Sequence, residues 1–143
     1  MPEDRPDLGK MAQRLARAVA EGEGPVLSRE DLQMWDYVVL GALAEGPAPT
    51  QGELARLTGR DPTRLIGHLD ELARRGLVER RPDATDRRRR VVTVTPEGLA
   101  TFRRCRTGIR ELEERLLADV TPHDRAVFLR VLEHLSEGTD REP

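Results

Sequence analysis

Residues Glu53 to Gly98 read ELARLTGRDPTRLIGHLDELARRGLVERRPDATDRRRRVVTVTPEG, and this stretch decides the fold. Thr50, just ahead of it, forms a capping box with Glu53 and opens a short helix with Leu54 and Leu57 buried and Gly59 at its end. Asp61 caps a second helix whose first position is Pro62, where the missing N–H costs nothing. Leu65, Leu69, Leu72 and Gly76 share one narrow arc of that helix, with Ile66 and Ala73 beside it. The opposite face carries Thr63, Arg64, Gly67, Asp70, Glu71 and Arg74, with His68 at its margin. Two short capped helices joined by a tight turn, the second with a polar face, make a helix-turn-helix. Leu77 to Arg81 follows as a strand, Pro82 to Arg89 as a polar turn, and Val91 to Thr95 as a second, alternating strand. A hairpin directly after a helix-turn-helix is a wing.

Outward from this module the chain reads as helices. Leu8, Met11, Leu15 and Ala18 mark an amphipathic first helix ending near Gly22, with Gly22 to Pro25 as a connector. Ser28, with Asp31 in the first turn, caps a helix from Arg29 to Glu45 that buries Leu32, Trp35, Val39 and either Ala42 or Leu43. Beyond the wing, Thr95 and Pro96 start a long helix to about Ala118, with Leu99, Phe102, Ile109, Leu112 and Leu116 on its apolar side. Thr121, Pro122 and Asp124 begin the last helix, which would bury Val127 or Phe128, Val131 and Leu135 and stop at Gly138. Thr139 to Pro143 is expected to fray.

The expected fold is mostly α with a small β-hairpin wing, a winged helix-turn-helix with N- and C-terminal dimerisation helices. One domain spans 1–143, with 29–98 as the winged lobe and 5–22 and 96–138 as the dimerisation helices. The outer helices carry more apolar stripe than one small lobe can cover, so a second copy of the chain is the expected partner. A twofold dimer sets two recognition helices about 34 Å apart, one turn of DNA, and so matches a palindromic operator.

Charge divides along the chain in a way its net value of −2 conceals. From Arg56 to Arg106 there are 14 Arg against 7 Asp or Glu, while the rest holds 10 basic and 19 acidic residues. The middle is therefore +7 and the flanks −9, which suits the middle to phosphate. Arg abundance alone says little, because Lys10 is the single lysine and the bias toward Arg is general. The longest apolar stretch is far short of a membrane span and the acidic N-terminus lacks a signal-peptide pattern, so a cytoplasmic protein without a membrane partner is expected. The lone Cys105 excludes an internal disulfide, and His68, His123 and His134 have no metal-ligand spacing, even with Asp124 added. Neither a nucleophile and base pair nor a Gly-rich phosphate loop is present, so no enzyme, cofactor or metal is expected.

Within 53–98 the residues resemble the MarR family of winged helix-turn-helix regulators. Arg75, Gly76, Leu77, Val78 and Arg80 match the family's RGLVxR, Asp86 and Arg88 its DxR, and Thr95 and Gly98 its LTxxG, with Val94 in place of Leu. The resemblance implies a dimer built by the terminal helices and repression or activation relieved by a small effector. It also implies an effector site between the dimer helices and the winged lobe, for which Trp35 is the candidate lining residue, with core packing as its other role.

DNA contacts are expected from Thr63, Arg64, Gly67 and His68 on the recognition helix and from Asp86, Arg87, Arg88, Arg89 and Arg90 on the wing. Arg88 suits a narrow, strongly negative minor groove, and Asp86 two residues earlier would hold it. Arg64 offers bidentate donors to guanine. His68 can equally be a packing residue on the helix flank, and the wing arginines a solvated charge run. Cys105 reads as packing, although Arg103, Arg104 and Arg106 beside it would lower its pKa and make it a redox sensor. An architectural or nonspecific DNA-binding protein without an effector is the alternative function.

Overall fold

The computed structural model describes residues 4–139. They fold as α1 (Leu8–Ser28), α2 (Met34–Glu45), α3 (Gln51–Thr58), α4 (Pro62–Arg74), β1 (Val78–Pro82), β2 (Arg90–Val94), α5 (Pro96–Leu116) and α6 (Pro122–Thr139). Side-chain caps set most of these boundaries. Thr50 Oγ1 accepts from Glu53 N at 3.2 Å, Asp61 Oδ2 from Arg64 N at 3.2 Å, Thr95 Oγ1 from Gly98 N at 3.0 Å, and Thr121 Oγ1 from Asp124 N at 3.2 Å. Gly59 and Gly76, just past α3 and α4, have φ of 66° and 73°, a left-handed conformation in which side chains are strained.

β1 and β2 pair antiparallel with Val78 opposite Val94 and Pro82 opposite Arg90, each strand one residue displaced from the sequence expectation. Val92 N donates to Pro49 O at 2.9 Å and Thr50 bridges Val91, so the start of α3 is stitched to the wing. The core lies where α2, α3, α4, the hairpin and α5 meet, around Val39, Leu40, Leu54, Leu65, Leu69, Leu72, Val92 and Phe102.

Three sequence expectations fail for identifiable reasons. Gly22 to Pro25 is not a connector, because α1 runs through it to Ser28. Gly22 is a packing residue: a Cβ there would lie 2.5 Å from Leu112 Cδ1, and one at Gly108 would lie 2.6 Å from Val26 Cγ1. These two glycines let α1 and α5 approach closely, and α1 continues past Pro25 in its last turn with the loss of the one helical bond that the missing N–H would make. Secondly, Ser28 does not cap a helix. It ends α1, and α2 starts five residues after Arg29, at Met34, where Gln33 N donates to Asp36 Oδ2 at 2.8 Å in a capping box. Between the helices Asp31 takes φ 53°, and Arg75 braces that turn by donating to Asp31 O at 2.7 Å and Glu30 O at 2.9 Å.

Thirdly, Leu57 is 69% exposed. The short α3 docks through Leu54, Ala55 and Thr58, which turns Leu57 outward. α6 differs in another way. Phe128, Val131 and Leu135 have the expected helical spacing, yet each remains exposed in the single chain, and Val127 is half-buried. The helix continues through Gly138 to Thr139, and residues 140–143 of the tail expected to fray lie outside the described residues.

The tightest point in the lobe is Gly98, where an added Cβ would fall 2.0 Å from Leu77 O and 3.0 Å from Val94 Cγ2. Backbone cannot yield as a flexible side chain can. Gly98→Ala should destabilise the fold by about 2 kcal/mol or more, read as a shifted urea midpoint at unchanged slope. A midpoint within error of the parent would contradict the packing described.

Candidate nucleic-acid interface

Pro62 and the Asp61 cap fix the start of α4, and burial of Leu65, Leu69 and Leu72 fixes its rotation. Thr63, Arg64 and Gly67 consequently lie on its exposed face. A Cβ on Gly67 would meet nothing within 4 Å, so packing does not require glycine at this point.

His68 instead turns into the lobe. Its Nδ1 donates to Asp36 Oδ1 at 2.9 Å, while Nε2 lies 3.4 Å from Arg60 Nη2 and can accept from it. Asp36 is buried, and its two oxygens serve two helices: one caps α2 at Gln33 N and the other pins α4 through His68. Arg60 in turn places its guanidinium 4.4 Å from the centroid of the half-buried Trp35 ring. The sequence reading missed Asp36 and Arg60, because their pairing with His68 and Trp35 spans three elements and leaves no spacing signal. Asp36, Arg60 and His68, with Arg64, Gly67, Glu71 and Arg75, line a cleft of about 550 Å³ between the start of α2 and α4.

In the wing, Asp86 holds the tip together. Its Oδ1 accepts from Arg88 N at 3.1 Å and Arg88 Nε at 3.3 Å, while Oδ2 is 3.7 Å from Arg89 Nε. Asp83 closes the other side of the turn by accepting from Thr85 N and Thr85 Oγ1. The Asp86 and Arg88 pairing read from the sequence is present, but with Arg88 93% exposed it adds little stability. It orients a guanidinium that still faces solvent. Arg87 and Arg90 are exposed too, and neither takes part in an ion pair among the described residues.

Arg80 has a different role from the tip arginines. Its Nη2 lies 2.6 Å from Asp70 Oδ1, tying the base of the wing to α4. A second cleft, of about 400 Å³, separates the wing from α3 and is lined by Thr50, Gln51, Gly52, Glu53, Arg56 and Arg88 to Arg90.

Cys105 is buried on α5. Burial pushes its thiol pKa up, Glu30 adds to the rise, and Arg104 opposes it only weakly. The packing role expected of Cys105 matches this burial, and the alternative of a thiol activated by arginines does not, since Arg104 Nε donates to Glu30 at 2.8 Å and Arg106 pairs with Glu45 and lies 4.9 Å from the Phe102 ring centroid. Among the described residues no cluster of three or more His, Cys, Asp or Glu could hold a metal, and no helix is long and apolar enough to cross a membrane.

The MarR family model matches residues 30–89, the span from the turn before α2 to the tip of the wing. Over that span the chain is similar to the MarR family. The protein is a DNA-binding transcriptional regulator and not an enzyme. It is 29% identical over 140 residues to an HTH-type transcriptional repressor of Mycobacterium tuberculosis, covering 98% of this chain and 99% of the relative. Among solved structures, the transcriptional repressor CouR bound to a 23-mer DNA duplex is 27% identical with a TM-score of 0.82, over 91% of this chain and 92% of that one. The PcaV transcriptional regulator of Streptomyces coelicolor, solved in complex with its natural ligand, is 26% identical with a TM-score of 0.71, over 94% and 98% of the two chains.

Two outcomes follow. His68→Ala should cost about 1–3 kcal/mol, since it leaves the buried Asp36 carboxylate with an unmet acceptor, and thermal unfolding would register the loss. Cys105, with its pKa raised, should resist iodoacetamide at pH 8 in the folded protein and react promptly in denaturant. Equal rates in the two states would refute the burial.

Proposed function

We propose that this chain acts in the cytoplasm as a homodimeric repressor that reads a palindromic site in duplex DNA and leaves it when a small effector binds. The observation that carries the reading is the Arg80–Asp70 ion pair, which sets the wing beside the exposed face of α4. A recognition helix and a hairpin so arranged can enter a major groove and the adjacent minor groove together. Thr63, Arg64 and Gly67 would face base edges, with Arg64 the reader of guanine. Arg88, held by Asp86, would enter the minor groove, while Arg87, Arg89 and Arg90 would meet phosphate. His68 would serve indirectly, through its bond to Asp36.

A dimer is supported by what α1 and α6 leave uncovered. Leu8, Met11, Leu15, Phe128, Val131, Leu132 and Leu135 are all exposed and line one apolar groove of about 640 Å³ between the two helices. Full burial of one such side chain is worth about 1.5–3 kcal/mol, so this surface favours a second copy strongly. In this reading the helices expected at 5–22 and 96–138, now Leu8–Ser28 and Pro96–Thr139 with one break, join the protomers, and 29–98 forms the lobe. Effector release is supported by relatives: PcaV is solved with its natural ligand, and a relative in Escherichia coli is named a homoprotocatechuate degradative operon repressor. The turn braced by Arg75, with Glu30 also held by Arg104, connects α1 to α4 and α5, so a ligand disturbing it would tilt the recognition helix. Trp35 lies near that connection, although Arg60 covers its ring.

Selection of bound duplexes from a random pool, with sedimentation of the complex, tests the reading. The expected result is one palindrome with half-sites about ten base pairs apart, bound by two chains and preferred over random duplex by several kcal/mol at fixed salt. Equal affinity for all sequences would make the chain a nonspecific binder instead. Arg64→Ala should change the selected bases, whereas Arg88→Ala should weaken selected and random duplexes by similar factors and reduce the salt slope. An Arg88→Ala variant with unaltered affinity near physiological salt would remove the wing from the interface.

A further inference from the structure

The cleft between α3 and the wing brings together four guanidiniums, those of Arg56, Arg88, Arg89 and Arg90. Arg88 and Arg89 share Asp86. Arg56 and Arg90 have no carboxylate within ion-pair distance among the described residues, so the cleft keeps an excess of positive charge over the carboxylates of Asp86 and Glu53. The one carboxylate in the lining, Glu53, is already committed to the Thr50 backbone N–H in the α3 cap. Such an arrangement is electrostatically unfavourable in the free protein and becomes favourable when an anion enters.

The cleft is also rigid. Pro49 and Thr50 are bonded to Val92 and Val91 of β2, so the α3 side and the wing side cannot drift apart without breaking backbone hydrogen bonds. Gln51 and Arg90 reach past it into a neighbouring recess of about 370 Å³ that is completed by Ala73 of α4 and Arg80 of β1. The cleft itself is lined by α3 and the wing, and the recess beside it reaches the C-terminal end of α4. If α4 occupies a major groove and the wing tip the next minor groove, the phosphate strand dividing the two grooves passes beside the wing arginines that line the cleft.

We infer that the α3–wing cleft is a phosphodiester site for that dividing strand, with Arg56 and Arg90 as its opposing arms. The inference rests on the DNA-binding reading above and adds Arg56 as a contact that the sequence did not single out. Arg56 serves as a charge and not as a reader of bases, because no part of the cleft lies on the outward face of α4. Its guanidinium binds the non-bridging phosphate oxygens, and no bond is made or broken.

Titration of the full-length protein with its selected duplex and with a random duplex, from 50 to 300 mM KCl, provides the test. Arg56→Ala should weaken both duplexes by a similar factor, about fivefold, and lower the salt slope by about one per bound protomer. Arg56→Lys should restore most of the slope, since only the positive charge is at stake. Arg56 is exposed, so an unchanged melting temperature for Arg56→Ala will separate lost contact from lost fold. Unaltered slope and affinity in Arg56→Ala, with the parent still binding, would overturn the inference alone. A parent that binds no duplex would instead overturn the function proposed above. A third arm replaces chloride by inorganic phosphate at constant ionic strength. Release of the parent from DNA by a few millimolar phosphate, but not by chloride, would show a site for free phosphate and defeat the assignment to the duplex backbone.

Discussion

Thr95 makes four hydrogen bonds at the point where the recognition helix, the wing and the long helix α5 converge, one of them accepted by its carbonyl from Leu99 N within α5. Its hydroxyl donates to Gly76 O at 2.6 Å and accepts from Gly98 N at 3.0 Å, while its own N–H donates to Leu77 O at 3.0 Å. One residue thus joins the end of α4 to the start of α5 across the base of the hairpin. The junction closes only because Gly98 lets Leu77 O approach to a distance no side chain would permit. Everything that presents the interface descends from it, because the wing leaves α4 at an angle set here and α5 carries the lobe toward the remaining helices.

Around that junction the polar groups divide into two kinds. Asp36, His68 and Arg75 are withdrawn from solvent to varying degrees, and each ties its own element to another, so removing any one leaves a partner unmet. The wing aspartates and arginines are mostly exposed, and their ion pairs contribute little to folding. Their value lies in direction. Asp86 constrains two arginines without consuming their charge in a buried site, which leaves a positive surface on a stiff hairpin. The acidic flanks offset that surface in the net charge without neutralising it in space.

Local chemistry was legible where it was complete within a few residues. Thr50 with Glu53, Asp61 with Pro62, Thr95 with Pro96 and Thr121 with Pro122 each specify a cap by themselves, and each helix begins where its cap says. Asp86 and Arg88 are likewise two residues apart and form their pair. Gly22 misled because glycine also occurs for reasons of packing, and the reason here, Leu112, is ninety residues away. Ser28 and Asp31 misled because a stronger cap, Asp36 on Gln33, lay further along and could count on His68 to share the burial.

The sequence by itself determined the order of helices and strands, the wing and its aspartate-held arginine, and the apolar faces of the outer helices, since each depends on neighbours within one or two turns. Tertiary structure alone decided that α1 runs unbroken past Pro25, that His68 faces the lobe, that Cys105 is shielded with its pKa raised, and that Arg56 shares a cleft with the wing. Those outcomes depend on which distant groups come within a few ångströms of each other, and periodicity and composition carry no information about such distances.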